Sequence, residues 1–241
     1  MNSRYTVSAS MIERYIFNFR IKPKSLEPKL PVSWLKPQII NGTSIVSFCI
    51  LQVKNLMLSP IPSKLGLETI CCAYRCGVID MSGDRPESSV YILGRNTDSK
   101  IITKFAPKIF YSKMPRIDAI IDHHTEWNSI DVKLSDGTVI LQARLKKTDR
   151  LDSEIFDSIE EFSRFIKNGI SSYAPSRIQN NLVRIDLQKE DHDYEPLDTE
   201  MIHNNLEHIW SDTEIVFDGA ARASGGLYVW SCKGLVSTVQ S

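Results

Sequence analysis

A mainly β, α+β fold is the architecture this sequence predicts, and three features predict it. Segments in which apolar and polar side chains alternate every second residue recur along most of the 241 residues. One hairpin is explicit: Ile130, Val132 and Leu134 lead into Ser135-Asp136-Gly137, and Val139, Leu141, Ala143 and Leu145 lead out. Helical periodicity is confined to two or three short stretches. Strands that follow one another directly point to an antiparallel sheet with helices packed on it.

The elements follow in order. Met1 to Ser10 read as a mobile arm. From Arg14 the pattern alternates, with Tyr15, Phe17 and Phe19 on one face and Arg14, Ile16, Asn18 and Arg20 on the other, a strand with one apolar face. Pro23 and Ser25 open a turn of helix that Pro28 and Pro31 keep short. Ile45 to Met57 is apolar on both faces and predicts a central strand covered on both sides. Pro60 and Pro62 place a loop after it. In the next strand Glu68, Ile70, Cys72 and Tyr74 share one face, and Thr69, Cys71, Ala73 and Arg75 share the other. A polar turn over Met81 to Pro86 leads to a strand from Ser89 to Gly94.

A helix is expected from Asp98 or Ser99, with Ile101, Ile102 and Phe105 on one face, ending at Pro107 because the residue before a proline is pushed out of the α region. Arg116 to Trp127 reads as one long strand, and the explicit hairpin follows. The strongest helix signal starts at Ser158. Ser158 and Glu161 make a capping-box pattern, Ile159, Phe162, Phe165 and Ile166 make an apolar stripe, and Gly169 offers a left-handed stop. Leu182 to Leu187 reads as a strand, Thr199 to Glu207 as a weak helix or loop, Glu214 to Phe217 as a strand and Leu227 to Ser231 as the last strand. Gly225-Gly226 marks a close backbone approach or a bulge before it. The sum is nine or ten strands in a single domain over residues 1–241, with Leu51, Val53, Ile70, Val132, Leu141, Ile159, Phe162 and Ile166 as core.

Composition excludes several function classes. Twenty-nine basic residues balance 29 acidic ones, so no polyanion such as nucleic acid is an expected partner. The balance is uneven: residues 1–60 hold 8 basic and 2 acidic side chains, residues 121–241 hold 12 and 21. No apolar run is long enough for a membrane span, and the N-terminus lacks the apolar core of a signal peptide. Cys49, Cys71, Cys72, Cys76 and Cys232 lack zinc spacing and read as reduced side chains of a cytoplasmic protein. His123 and His124 are adjacent on a strand and face opposite ways, so no metal site is expected there, and no cofactor motif appears.

One lysine stands out. Lys108 lies between Pro107 and the apolar run Ile109-Phe110-Tyr111. The plain reading is a solvated lysine whose stem lies on apolar surface. The other is an amine drawn toward a desolvated site.

Pro107-Lys108 after a short helix resembles the Pro-Lys-Lys segment of acetoacetate decarboxylase, whose first lysine forms a Schiff base with a β-keto acid. The wider chain, from about Arg14 to Lys233, resembles the YqjF-like branch of that superfamily. The residues that carry this are Phe19-Arg20, Ser25-Leu26, Leu30-Pro31, the segment Ile45 to Val53, Ser158 to Phe162, and Ala223 to Trp230. Tyr111-Ser112-Lys113-Met114 resembles a further pattern of that branch. The resemblance implies an acetoacetate decarboxylase-like antiparallel β-barrel, cone-shaped, with a few packed helices. It implies catalytic roles for Lys108 and Glu68 and ligand-binding roles for Arg14, Tyr111 and Cys49.

The chain departs from the decarboxylase pattern in three places. Ile109 stands where the second lysine would be, Cys49 stands at the match to one glutamate, and Arg14 lies about two residues out of register with the arginine. The expected function is therefore a small-molecule-binding barrel holding a small organic acid or apolar metabolite. The alternative is a Schiff-base lyase or decarboxylase acting on a keto acid through Lys108, with a neighbouring cation or burial needed to free its amine. Oligomeric state stays open.

Overall fold

The computed structural model describes residues 6–59, 66–190, 193–210 and 213–239. In chain order its strands are β1 (Thr6–Ile21), β2 (Leu35–Pro37), β3 (Ser44–Leu58), β4 (Leu67–Asp80), β5 (Glu87–Thr97), β6 (Ile117–His123), β7 (Asn128–Leu134), β8 (Val139–Lys147), β9 (Ser171–Pro175), β10 (Asn181–Lys189), β11 (Glu195–Asn204), β12 (Val216–Ser224) and β13 (Leu227–Ser237). The helices are α1 (Pro23–Leu26), α2 (Lys100–Ile109), α3 (Ile159–Asn168) and α4 (Leu206–Ile209).

β1 is the hub. Along one edge it pairs with β3 over nearly its whole length. Along the other, Thr6 to Ser10 pair with β13, and Glu13 to Arg20 pair with β12. The chain changes partner at the turn between β12 and β13, where Gly225 and Gly226 both have positive φ, 81° and 91°, a region that L side chains avoid. The β13–β1 pairing closes a ring: β1, β3, β4, β5, β9, β10, β13 and back to β1. Within it β5 and β9 run parallel, and every other pair is antiparallel. Closure leaves no free edge in this part of the sheet. Of the remaining strands, β2 pairs with β4, and β12, β11, β8, β7 and β6 continue outward from β1.

Two apolar layers result. The larger lies on the outer side of the β1–β3–β4 wall, where Tyr15, Phe17, Phe48, Ile50, Tyr74 and Val78 pack with Ile117, Ile130, Val132 and Leu141 from the extension. The second joins the inner side of β1 and β3 to α3 and the segment before it, through Ile16, Ile45, Cys49, Phe156, Phe162 and Ile166. This explains why Ile45 to Val53 is apolar on both faces.

The chain differs from expectation in several places. Thr6 to Ser10 are strand, held by β13 and β3, and Met1 to Tyr5 lie outside the described residues. Both faces of β1 are buried: Arg14, Ile16 and Asn18 are as enclosed as Tyr15 and Phe17, because α3 covers the side expected to be wet. Pro107 does not end α2, which runs on to Ile109. A proline in the last turn removes one backbone hydrogen bond, and the Phe110 N–H still reaches the Ala106 carbonyl at 2.8 Å. The strand expected to reach Trp127 stops at His123, where His124 turns and stacks on Trp127 at 3.8 Å between ring centres. Most of Thr199 to Glu207 is strand β11, held against β8, and only its end enters α4. Gly169 ends α3 with φ −79°, outside the left-handed region. The loop with Pro60 and Pro62 lies outside the described residues.

Other expectations match the structure. Ser158 caps α3, its Oγ accepting from the Glu161 N–H at 3.3 Å. Val53, Val132, Leu141, Phe162 and Ile166 are buried. Leu51, Ile70 and Ile159 are half-buried. The Asp136-Gly137 hairpin turns with Gly137 at φ +87° and no atom within 4 Å of where a Cβ would stand. Gly137→Ala is therefore expected to lower stability by roughly 1–2 kcal/mol through backbone strain alone. Urea unfolding should show a lower midpoint with an unchanged slope.

Candidate functional site

The closed strands enclose a cavity of about 550 Å3. Register determines which side chains face it. Directly opposite residues in neighbouring strands share a sheet face. Ser47, Cys49 and Leu51 of β3 oppose Arg75, Ala73 and Cys71 of β4. Those in turn oppose Ile92, Arg95 and Thr97 of β5. The β4–β5 register slips at Leu93, an extra residue between the Tyr74–Gly94 and Arg75–Ile92 pairs. That bulge puts Ile92 and Arg95, three residues apart, on one face. Arg14 of β1 opposes Leu51, and Val7 opposes Trp230 of β13. One side of α2 lies over the space with Ile101, Ile102, Phe105, Ala106 and Ile109, and Gly169 and Ile170 after α3 line it as well. Ile101 and Phe105 remain 51% and 44% exposed, so they stand at the rim.

The walls are mostly hydrocarbon, with three guanidinium groups among them: Arg14, Arg75 and Arg95. No Asp, Glu or Lys is among the described residues that line the space. Arg14 is 4% exposed. Its Nε donates to Cys49 Sγ at 3.3 Å, and its Nη1 donates to the Tyr194 and Tyr228 hydroxyls at 3.1 and 3.2 Å. Arg75 and Arg95 keep some accessible surface although protein surrounds them, because that surface faces the cavity. The Arg75 Nη2 is buried without a hydrogen-bond partner among the described residues.

The electrostatics follow from a low-dielectric space that holds like charges. Burial and the nearby Arg14 lower the pKa of Arg75, with Cys49 opposing them. Burial lowers Arg95 to about 10. Burial also works against charge on Arg14, but Tyr194, Cys49 and Tyr228 outweigh it and hold the guanidinium protonated. For the Cys49 thiol, burial favours the neutral form, yet Arg14 and Arg75 together pull its pKa below 9.0. Burial pushes the Tyr194 phenol up to about 12. The arrangement is a cationic group of side chains set in an apolar chamber.

The expected site residues separate. Arg14 and Cys49 meet in the cavity. Glu68 is exposed at the start of β4, on the opposite face from Cys71, and its carboxylate accepts a 3.4 Å hydrogen bond from Gln52. Tyr111, at φ 52°, packs against the small cluster of Ala174, Val183, Ile185 and Cys232 and does not line the cavity, and its carbonyl accepts from the Arg177 N–H and the Ser176 hydroxyl. The inward amine expected at Lys108 is corrected. Because α2 continues through Pro107, Lys108 falls with Lys100 and Lys104 on the exposed stripe, its Nζ 5.8 Å from the Phe105 ring centre. Borohydride added with acetoacetate or pyruvate is expected to leave Lys108 unmodified by peptide mass mapping, and a reduced adduct at that residue would overturn this placement.

Arg95 and Tyr194 were not singled out from sequence. In the sequence Arg75 shares the face of Cys71 and Ala73, and a charge on a strand face of that kind is the available signal. Nothing local marked Arg95, whose orientation depends on the bulge, or Tyr194, which meets Arg14 across 180 positions. Among the described residues no cluster suited to a metal ion occurs, and no helix is long and apolar enough to cross a membrane.

A closed β-barrel with a lined internal cavity and few helices is the class that fold and site define. Among solved structures this chain has the fold of the acetoacetate decarboxylase-like proteins. It is similar to acetoacetate decarboxylase from Legionella pneumophila, with TM-score 0.66 at 12% identity, over 95% of this chain and 87% of that one. It is similar to the enduracididine biosynthesis enzyme MppR complexed with pyruvate, with TM-score 0.61 at 11% identity, over 99% and 92%. It is also similar to an acetoacetate decarboxylase-like enzyme from Sphingomonas wittichii, with TM-score 0.59 at 14% identity, over 100% and 95%. No protein-family model matches the chain, and no curated protein does.

Proposed function

We propose that this protein binds a small organic acid in the barrel cavity, with its carboxylate against Arg14 and Arg75 and its carbon chain along the apolar wall. The observation that carries the reading is the pairing of buried guanidiniums with a chamber that no carboxylate of the described chain lines. Buried charge is costly unless it is paired. A carboxylate ligand supplies the missing partner, and a guanidinium fork matches its geometry. About 550 Å3 is within the range of small-molecule sites. A structural neighbour that holds pyruvate, itself a small carboxylate, supports the same reading. The motif order supports placing the chain in the YqjF-like branch, and five free cysteines support a reducing cytoplasmic setting.

The test is a thermal-shift and calorimetric comparison of octanoate and pyruvate with octanol and octanamide. The acids are expected to bind and the neutral analogues to bind at least tenfold more weakly. At a hundred times its Kd, the acid should add about 2.7 kcal/mol to the stability. Equal binding of octanol and octanoate, or no binding of any acid, would overturn the proposal.

A further inference from the structure

We infer that Cys49 is a nucleophile positioned to add to carboxylic acids that carry an electrophilic carbon close to the carboxylate, such as 2-enoic acids. The inference rests on the anion-binding reading above and adds a covalent step to it. Three observations carry it. Cys49 lines the cavity and is not sealed in a wall, with 7% of its surface accessible. Its sulfur takes a hydrogen bond from a guanidinium at 3.3 Å, from an arginine that two tyrosine hydroxyls hold in place. A second guanidinium, Arg75, stands diagonally across on β4, because Cys49 opposes Ala73 and Ser47 opposes Arg75. That Arg75 group also has a buried Nη2 without a hydrogen-bond partner among the described residues.

These features divide the work between the two arginines. While Cys49 is a thiol the ligand carboxylate lies against both arginines, and once it ionises the thiolate takes up the charge of Arg14 and leaves that of Arg75 for the carboxylate. Diagonal neighbours on one sheet face have backbones ~7–8 Å apart. The arginine side chain covers part of that gap, and a carboxylate with its next two carbons spans the rest. In the step, a sulfur lone pair forms the C–S bond at the β-carbon. The π electrons of the double bond move to the α-carbon, which takes one proton from water. The product is a thioether, with no leaving group and no oxidant or reductant.

The same cavity contains its own control. Cys71 also lines it, but burial pushes that thiol up to about 11 against the opposing influence of Thr97, Thr69 and Arg95, and among the described residues no arginine hydrogen-bonds to it. Cys72 and Cys76 are raised by burial as well. Reactive cysteines lie in electropositive surroundings, and buried apolar ones are inert.

The experiment is alkylation of the folded protein with iodoacetate and, separately, iodoacetamide, read by intact mass and peptide mapping. Here the thiolate displaces iodide. Iodoacetate is expected to label Cys49 at least tenfold faster than Cys71, Cys72, Cys76 or Cys232. It should also outpace iodoacetamide at Cys49 at least tenfold, and octanoate should protect. The midpoint of the rate against pH should lie below 9.0, and in Arg14→Met it should rise, since burial is then opposed by Arg75 and Lys189 without the charge and hydrogen bond of Arg14. (E)-2-octenoate should add one equivalent of its own mass at Cys49. Labelling spread over the other cysteines, no preference for the anionic reagent, or no octenoate adduct would overturn the inference. Cys49→Ser separates the two readings. If it binds octanoate while the wild type stays unreactive, only the nucleophile fails; if neither protein binds any acid, the anion reading fails too.

Discussion

Arg75→Met is expected to raise the thermal stability of the free protein while weakening its binding of octanoate ~30-fold to a few thousand-fold. The two effects share one cause. Arg75 stands inside the barrel beside Arg14, and burial and that like charge hold its pKa down, Cys49 opposing. For a base, a folded-state pKa below the unfolded value means that folding disfavours the charged form. That cost is present at every pH below the folded value, so it is present at neutral pH. An unbranched apolar side chain removes it and fills similar volume. A gain of about 1 kcal/mol corresponds to a rise of ~2–4 °C for a chain of this size. With an acid bound the sign reverses, because the carboxylate gives a partner to the Nη2 that has none among the described residues. Losing one half of such a pair costs about 2–5 kcal/mol, the source of the expected fold-change.

Arg14→Met should behave differently. It too weakens binding, but it leaves the Tyr194 and Tyr228 hydroxyls and the Cys49 sulfur without the donor they share, which lowers stability by about 1–3 kcal/mol. Scanning calorimetry and titration on the two variants make the comparison. If both destabilise the free protein equally, Arg75 is a structural cation and the functional reading of it falls.

How much of this was legible in the sequence depends on how local each feature is. The strands of the barrel wall carry their pattern in neighbouring residues, so β3, β4, the β7–β8 hairpin and the stripe of α3 could be read directly. The closure of the ring could not, because the β13–β1 and β5–β9 pairings join segments far apart and leave no local mark. Parity in β4 separates Glu68 from Cys71, Ala73 and Arg75. It does not say which face meets the cavity, so the carboxylate with a family counterpart drew attention and the arginine did not. Lys108 turned on a single backbone decision. Proline disfavours helix, but near a C-terminus it removes only one bond, and the packing of Ile102, Ala106 and Ile109 over the cavity outweighs that loss. Once the helix continues, the spacing of Lys100, Lys104 and Lys108 puts all three on the solvent side. Cys49 was found through its match to a carboxylate position. Its chemistry depends on Arg14 and Arg75, contributed by the two neighbouring strands.

Phe162→Ala is the second large effect, an expected loss of about 3–5 kcal/mol. Phe162 is 1% exposed in the layer between α3 and the inner side of β1 and β3. Its ring meets Phe156 edge-on at 5.5 Å and Tyr194 edge-on at 5.6 Å. Truncation removes both contacts and leaves a void that close-packed neighbours fill only in part. The consequence extends beyond stability, because Tyr194 is the residue whose hydroxyl accepts from Arg14 Nη1. With one face of the Tyr194 ring unsupported, the guanidinium loses a fixed acceptor, and carboxylate binding should weaken even in the fraction that stays folded. Phe162→Leu keeps much of the volume without the edge-on geometry, so it should cost less than Phe162→Ala and still weaken octanoate binding severalfold. Urea unfolding gives the stability terms, and titration of the folded fraction well below each midpoint gives the affinity. A stability loss under ~1 kcal/mol would mean that α3 does not seal this layer. A full loss of stability with unchanged affinity would mean that Tyr194 does not position Arg14.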